Sequence, residues 1–187
     1  PLDYYNNNII GLLNILNFSV EKNIPFIYSS SCTVYGDVKV SPINEEAATN
    51  DPKSPYGNTK FIWEQILKDC FNASNKFKTI SLRIPGIFSQ DISRNGPLIT
   101  NIVKKMIKNE DVHIYNFDKQ FNNIADPQEL ARFIKFIIHK KFAKSEVYNF
   151  SASKPLKFIQ VINLIKRTLK SKSKISKLLV SKFTEQK

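Results

Sequence analysis

A tyrosine that precedes a lysine by four residues can carry out proton transfer, because both side chains lie on one face of a helix. The lysine ammonium favours the phenolate by charge and lowers a phenol pKa that is otherwise about 10. Such a tyrosine is a usable general acid or base at neutral pH. The spacing alone does not identify the reactive pair, because the sequence holds three such pairs: Tyr35/Lys39, Tyr56/Lys60 and Tyr115/Lys119.

The sequence around each tyrosine separates the three pairs. Tyr35 lies in a predicted turn, and Tyr115 ends a short predicted strand before a polar loop. Only Tyr56 opens a convincing helix, for which Ser54 is the predicted N-cap and Pro55 the predicted first residue. We therefore predict that the pair beginning with Tyr56 is the reactive one.

Three consecutive serines, Ser29–Ser31, follow an apolar segment that is typical of a buried strand. Ligands of parallel sheets gather at the carboxyl ends of the strands, where a hydroxyl can donate to a substrate oxygen. Ser31 is therefore a candidate catalytic donor. Ser29 is explained as well by a structural role, in which it satisfies backbone groups at the strand end.

The predicted elements alternate between helix and strand. From Asp3 to Lys22, apolar residues recur at intervals of three and four, the period of an amphipathic helix. A buried strand follows at Pro25–Ser30, then the helix that begins near Ser54, and then a second strand at Lys78–Ile84. This order predicts an α/β fold in which helices cover a parallel sheet. Beyond Ser89, shorter strands and helices predict a further, smaller α/β region.

Four segments, taken together in their order and spacing, resemble a known family. They are PLDYYNNNIIG (residues 1–11), YSSSCTVYGD (28–37), SPYGNTK (54–60) and LRIPGIF (82–88). The segments resemble the extended short-chain dehydrogenase/reductases of the NAD-dependent epimerase/dehydratase type, and most closely the UDP-glucose 4-epimerase group. The resemblance runs to about Phe150 and is strongest through Phe88.

The resemblance implies a Rossmann-like parallel sheet flanked by helices, of which residues 1–89 form the C-terminal part of the dinucleotide-binding domain. Residues 90–187 would form mainly a small α/β substrate-binding lobe, with segments returning to the sheet and a basic tail from about residue 170. The implied cofactor is NAD, with NADP as the alternative, and the implied substrate is a nucleotide sugar. Helices around Asp3–Lys22 and Phe61–Cys70 would supply the contact of an expected homodimer.

The resemblance also implies roles for the reactive residues. Ser31 is expected to hydrogen-bond the reacting sugar hydroxyl while Tyr56 exchanges its proton. Lys60 is expected to hold the nicotinamide ribose and to lower the tyrosine pKa. Hydride would pass between the sugar carbon and the nicotinamide ring, and in an epimerase the keto-sugar turns over before the hydride returns.

Binding residues follow from the same resemblance. Asn7, Ser29 and Arg83 join the reactive pair as expected contacts of the cofactor. Asn95 and Asn123 join the catalytic serine as expected contacts of the substrate. Three of these residues have a structural alternative: Asn7 as an ordinary helix-surface residue, Arg83 as a member of an ion pair, and Asn95 as a turn former.

The sequence departs from the family pattern at its start. It contains no glycine-rich phosphate-binding turn, since its five glycines are widely dispersed. In the family that turn precedes the point at which this sequence begins, so we expect an upstream part that carries it. Without that part, we expect weak dinucleotide binding and an exposed edge of the parallel sheet.

The residues leave three alternatives to an epimerase open. A nucleotide-sugar 4-keto reductase is one, because LRIPGIF (82–88) lacks the aromatic-Phe-Asn ending that this segment commonly has in UDP-galactose epimerases. The serine triplet argues against a 4,6-dehydratase. An inactive truncated remnant or binding module is the second alternative, because the glycine-rich turn is missing. A protein that binds partners through its basic tail is the third.

The bulk composition limits the partners. The net charge of +12 comes almost wholly from residues after position 139, and the tail from Lys166 to Lys187 has Phe183 as its only aromatic, so we predict a solvated surface and no nucleic-acid binding. No apolar stretch approaches the length of a membrane helix, and the prediction is a cytoplasmic protein without membrane contact. Cys32 and Cys70 lack metal-type spacing, so neither a metal site nor a disulfide is predicted.

Overall fold

The computed structural model of the protein describes residues 1–37, 42–49, 51–74, 76–88, 98–114, 124–140, 144–151 and 156–177. The chain divides into two compact units. Unit 1 consists of Pro1–Pro85 and Gln128–Phe150. Unit 2 consists of Gly86–Pro127 and Ser151–Lys187.

Helices and strands alternate along most of the chain. The helices are α1 (Leu2–Tyr5), a π-helical turn (Asn6–Ile10), α2 (Gly11–Glu21), a 3-10 turn (Cys32–Tyr35), α3 (Pro55–Ala73), α4 (Leu98–Ile107), α5 (Pro127–His139) and α6 (Phe158–Leu169). The strands are β1 (Phe26–Ser31), β2 (Thr79–Ile84), β3 (Gly86–Ile87), β4 (Val112–Ile114), β5 (Ile124–Ala125), β6 (Glu146–Asn149) and β7 (Ile175–Lys177). Among the described helices, none combines the length and the apolar composition that crossing a membrane requires.

The sheet of unit 1 is parallel, in the order β1-β2-β6. Its register places Ser30 opposite Arg83 and Ser31 opposite Ile84. The predicted strands at 25–30 and 78–84 correspond to β1 and β2 within one residue at each end. The prediction of a parallel sheet covered by helices is therefore confirmed.

The core of unit 1 lies between this sheet and helices α2 and α3. Its fully buried members come from α2, β1, α3 and the segment before β2: Leu16, Tyr28, Trp63, Leu67 and Phe77. The apolar stripe predicted from the three-and-four spacing of the first helix packs here through Ile9, Leu12 and Leu13. This packing fixes α3, which carries the candidate tyrosine and lysine, against the strand that carries the serines.

Unit 2 has its own core, built mainly from α4, β4 and α6. The buried side chains are Ile99, Ile102, Met106, Val112, Ile114, Phe158 and Ile162. Two parallel strand pairs complete it, β3 with β5 and β4 with β7. Lys170, at the end of α6, has φ 51°, the left-handed conformation that commonly ends a helix.

Gly36 ends the 3-10 turn after β1 in a conformation that only glycine adopts easily, with φ 63° and ψ −140°. A Cβ at this position would lie 2.1 Å from the carbonyl oxygen of Asp51, a backbone atom that cannot swing away. We expect Gly36→Ala to lower the free energy of unfolding by about 3 kcal/mol, measured by urea denaturation. Gly11→Ala is the control, because its added Cβ would meet no atom closer than 4.0 Å. Equal stability of the two variants would contradict this prediction.

Candidate active site

Ser31 is the last residue of β1 and is 7% exposed. Its Oγ accepts hydrogen bonds from the Thr33 amide, at 3.3 Å, and from the Thr33 hydroxyl, at 3.0 Å. Both of these interactions use lone pairs of the serine oxygen, so within the described residues its own proton is left to donate. Ser31 can therefore offer a hydrogen bond at the carboxyl end of the strand.

Tyr56 lies in the first turn of α3. The predicted start of this helix is confirmed, since the Ser54 Oγ accepts a hydrogen bond from the Gly57 amide at 3.0 Å and Pro55 is the first helical residue. The Tyr56 ring makes an edge-on contact with the Tyr4 ring, with 6.2 Å between the centroids. The N-terminal helix thus supports one side of the phenol ring.

Lys60 links the helix to the strand. Its Nζ donates a hydrogen bond to the Ser29 carbonyl oxygen at 2.8 Å. The same ammonium lies 5.4 Å from the centroid of the Tyr56 ring and 5.0 Å from that of the Tyr28 ring. The structure therefore brings together the tyrosine and lysine that the helical spacing predicted, at the end of the serine strand.

The first turn of α3 also lies directly against the 3-10 turn that follows β1. At Gly57, an added Cβ would lie 3.1 Å from the Thr33 carbonyl oxygen and 3.1 Å from the Pro52 Cβ. Such a close approach of two backbones is a common reason for glycine inside a helix. It holds the segment with Ser31 and the segment with Tyr56 next to each other.

Asn7, an expected cofactor contact, is exposed on the π-helical turn. Its neighbour Asn8 points toward α3 instead: the Asn8 Nδ2 donates to the Thr59 Oγ1 at 3.0 Å, and the Asn8 carbonyl accepts from the Trp63 indole. Asn8 therefore ties the first helical segment to α3, a role that nothing in the run of three asparagines indicated. The cofactor contact of Asn7 stays a prediction.

Arg83 lies in a buried ion pair with Glu64, whose role the sequence did not indicate. The Arg83 Nη2 is 2.8 Å from the Glu64 Oε2, and the two side chains are 5% and 6% exposed. The Arg83 Nε donates to the Glu64 Oε1 at 3.1 Å. Of the two explanations given for Arg83, the structure shows this ion pair, while a cofactor contact stays a prediction.

The model of the NAD dependent epimerase/dehydratase family matches residues 1–151 of the chain. The chain belongs to this family. The two remaining predicted site residues of this family member, Asn95 and Asn123, lie outside the described residues. Their contacts with a substrate stay predictions.

Curated members of the family match part of the sequence. UDP-glucose 4-epimerase of Drosophila melanogaster is 44% identical over 84 residues, which cover 44% of this chain and 24% of that protein. UDP-glucose 4-epimerase of Haemophilus influenzae is 40% identical over 84 residues, or 25% of its length. The chain thus matches about a quarter of the length of these relatives.

Solved structures of the family resemble most of the chain. UDP-N-acetylglucosamine 4-epimerase from Methanobrevibacter ruminantium has a TM-score of 0.84 at 25% identity, covering 95% of this chain and 57% of that chain. UDP-glucose 4-epimerase from Thermotoga maritima has a TM-score of 0.80 at 24% identity, covering 95% of this chain and 58% of that chain. This likeness confirms the predicted Rossmann-like fold.

A cavity of about 560 Å³ lies elsewhere in unit 1, beside α3, β2 and β6. Its lining includes Glu64 and Arg83 but none of Ser31, Tyr56 and Lys60. The candidate reactive groups therefore belong to a different surface of the unit from this cavity.

Burial lowers the pKa of the Lys60 ammonium below its ordinary value of 10.5. In the unfolded chain the amine titrates at the ordinary value. At a pH between the folded-state and unfolded-state pKa, the unfolded state therefore binds more protons than the folded state. We therefore expect the free energy of unfolding to rise as the pH increases from the lowered pKa to 10.5. Urea unfolding at several pH values measures this pH dependence of the free energy of unfolding, with Lys60→Met as the reference that lacks the amine. Parallel pH dependences of the two proteins would contradict the expectation.

Proposed function

We propose that this chain supplies the reaction centre of an NAD-dependent nucleotide-sugar epimerase that acts on a UDP-hexose. The observation that carries the proposal is the position of Lys60, 2.8 Å from the Ser29 carbonyl oxygen and 5.4 Å from the Tyr56 ring centroid. A lysine beside a phenol at the carboxyl end of a parallel strand suits proton transfer to a ligand bound there. Membership of the family, and relatives named UDP-glucose 4-epimerase, support the same assignment.

Tyr56 is the proposed acid and base. Its phenolate would take the proton of the reacting sugar hydroxyl and would later return it. The positive charge of Lys60 would stabilise the phenolate whenever the tyrosine is without its proton, because an adjacent cation favours the anionic form. Ser31 would donate a hydrogen bond from its hydroxyl to the same sugar oxygen and would hold that oxygen near the phenol.

The residues around Lys60 fit a bound dinucleotide. An ammonium has three N–H donors, and within the described part of the chain Lys60 uses one of them, toward the Ser29 carbonyl. The other donors can bind ribose hydroxyls, and the exposed Ser29 and Asn7 side chains are further proposed contacts. NAD supplies the hydride acceptor at the sugar carbon when it is bound.

We also propose a homodimer that forms through α2 and α3. Ile15 and Phe18, three residues apart on one face of α2, are 55% and 54% exposed. In a two-fold dimer such an apolar face would pack against its own copy. Phe18→Glu is expected to yield a monomer in analytical ultracentrifugation, because two carboxylates would meet across the axis. Ile138→Glu on α5, at a side chain that is 64% exposed, is the control, and a dimer in both variants would exclude this face.

A chimera tests the proposed activity. In it, residues 1–88 of this chain, which carry the four motifs, replace the aligned segment of the Drosophila melanogaster UDP-glucose 4-epimerase. If this chain provides a working reaction centre, the chimera interconverts UDP-glucose and UDP-galactose and binds NAD. A folded chimera that binds NAD without turnover would instead support the inactive binding module.

A further inference from the structure

A buried polar network joins α3 to the end of β1, and Glu64 lies at its centre. We propose that Glu64 is a positioning residue that, through Ser30, sets the serine end of β1 relative to the helix that carries Tyr56 and Lys60. The proposal rests on the proposed function, because it concerns the same reactive residues. It adds to that function a residue that touches neither substrate nor cofactor.

The contact with β1 is direct and buried. The Ser30 Oγ donates to the Glu64 Oε1 at 2.5 Å, and the two residues are 1% and 7% exposed. The Ser30 side chain thus points to α3, and its hydrogen bond holds the strand residue directly before Ser31. A strand end held at this residue presents the adjacent Ser31 in a fixed direction.

Arg83 holds the carboxylate of Glu64 from the neighbouring strand. Its Nε and Nη2 contact both carboxylate oxygens, at 3.1 Å to Oε1 and 2.8 Å to Oε2. Arg83 lies opposite Ser30 in the register of β1 and β2. A two-point contact of this kind fixes orientation as well as distance. Arg83 on β2 thus fixes the orientation of the Glu64 carboxylate, and this carboxylate in turn fixes the position of Ser30 on β1.

The helix side of the network uses two successive turns of α3. Glu64 follows Lys60 by four residues, so both side chains leave the helix on the same face. Lys60 contacts the carbonyl of Ser29, and Glu64 contacts the hydroxyl of Ser30. Two contacts to consecutive strand residues restrain both the sliding and the rotation of α3 on β1, which a single contact would not.

The network extends to the turn that follows Ser31. The Arg83 Nη1 donates to the Tyr35 hydroxyl at 2.6 Å, and that hydroxyl is 2.7 Å from the Asn149 Oδ1 on β6. Tyr35 belongs to the 3-10 turn whose Thr33 holds the Ser31 oxygen. The same arginine therefore steadies the segments on both sides of Ser31, in the strand and in the turn.

A purely structural ion pair would support the fold without controlling where Lys60 lies. The pKa of Lys60 separates the two roles, because it is lowered by burial and responds to the fit of α3 on β1. The experiment uses the 187-residue chain with carbon-13-labelled lysine, and an NMR titration follows the Lys60 side chain, assigned with Lys60→Arg. Neither NAD nor a nucleotide sugar is added, so its outcome is independent of turnover by the chimera.

Ser30→Ala is the deciding variant, because it keeps the Glu64–Arg83 pair and removes only the link to β1. We expect the Lys60 pKa to rise toward the ordinary value of 10.5 as the amine gains solvent. Ser19→Ala is the matched control: among the described residues, this buried hydroxyl bonds only the Ile15 carbonyl of its own helix, at 2.9 Å, and its removal should leave the titration unchanged.

A folded Ser30→Ala protein with the parent Lys60 titration would overturn the proposal. If that variant does not fold, the double variant Glu64→Met/Arg83→Met decides by the same criterion. Replacing both members of a buried ion pair by apolar side chains commonly preserves the fold. A double variant with the parent titration would show that the network stabilises the unit without positioning Lys60.

Discussion

Tyr56→Phe is expected to lower the kcat of the chimera for UDP-glucose by about 100- to 10,000-fold, the usual contribution of a general acid or base. Phenylalanine keeps the ring and its edge-on contact with Tyr4, so the variant removes only the hydroxyl that exchanges the proton. The KM should change little, because the proton moves in the transition state and not in the bound ground state. Initial rates of UDP-galactose formation measure both constants.

Tyr5→Phe is the control for this prediction. It removes one phenolic hydroxyl from the same 88-residue segment, at a position with no proposed role, and should leave the kcat unchanged. Equal turnover by the Tyr56→Phe and parent chimeras would remove Tyr56 from the reaction. The proposed assignment of acid and base would then be wrong even though the segment supports activity.

Arg83→Met is expected to lower the free energy of unfolding by about 3–5 kcal/mol, because it leaves the buried Glu64 carboxylate without its cation. The double variant with Glu64→Met should recover most of that loss, since neither charge is then buried. Urea denaturation with circular dichroism measures both variants. The size of this recovery separates two contributions to the free energy of unfolding: the destabilisation by an unpaired buried charge and the net stabilisation by the intact ion pair.

An exposed ion pair on α5 provides the comparison. Arg132 and Glu129 form a salt bridge in which the side chains are 69% and 58% exposed. Arg132→Met should change the free energy of unfolding by at most about 1 kcal/mol, because solvent screens exposed pairs. Similar losses for Arg132→Met and Arg83→Met would mean that burial does not govern the contribution of the Glu64–Arg83 pair.

The parts of the site that could be predicted are those whose interactions are close in sequence. The cap of α3 depends on Ser54, Pro55 and the amide of Gly57, which are neighbours in the chain. Tyr56 and Lys60 lie one turn apart, so helical geometry brings them together without knowledge of the rest of the fold. The parallel sheet was predictable for a similar reason, because apolar strands alternating with helices have few other ways to pack.

Glu64 could not be assigned in this way. It is 19 residues from Arg83 and 34 from Ser30, and the three meet only when α3, β1 and β2 take their final register. Asn8 was missed for the same reason, because its partners Thr59 and Trp63 are 51 and 55 residues away in the sequence.

The hydrogen bonds from Thr33 to Ser31 determine which kind of ligand group this serine can hydrogen-bond. Both lone pairs of the serine oxygen are directed to Thr33. Ser31 can therefore donate a hydrogen bond to a ligand oxygen but cannot accept one from a protonated amine. An analogue with an ammonium in place of the reacting hydroxyl would bring one donor against another. Such an analogue would lose the hydrogen bond from Ser31 because of the direction of the serine donor and not because of lack of space, and a threonine two residues away would be the cause.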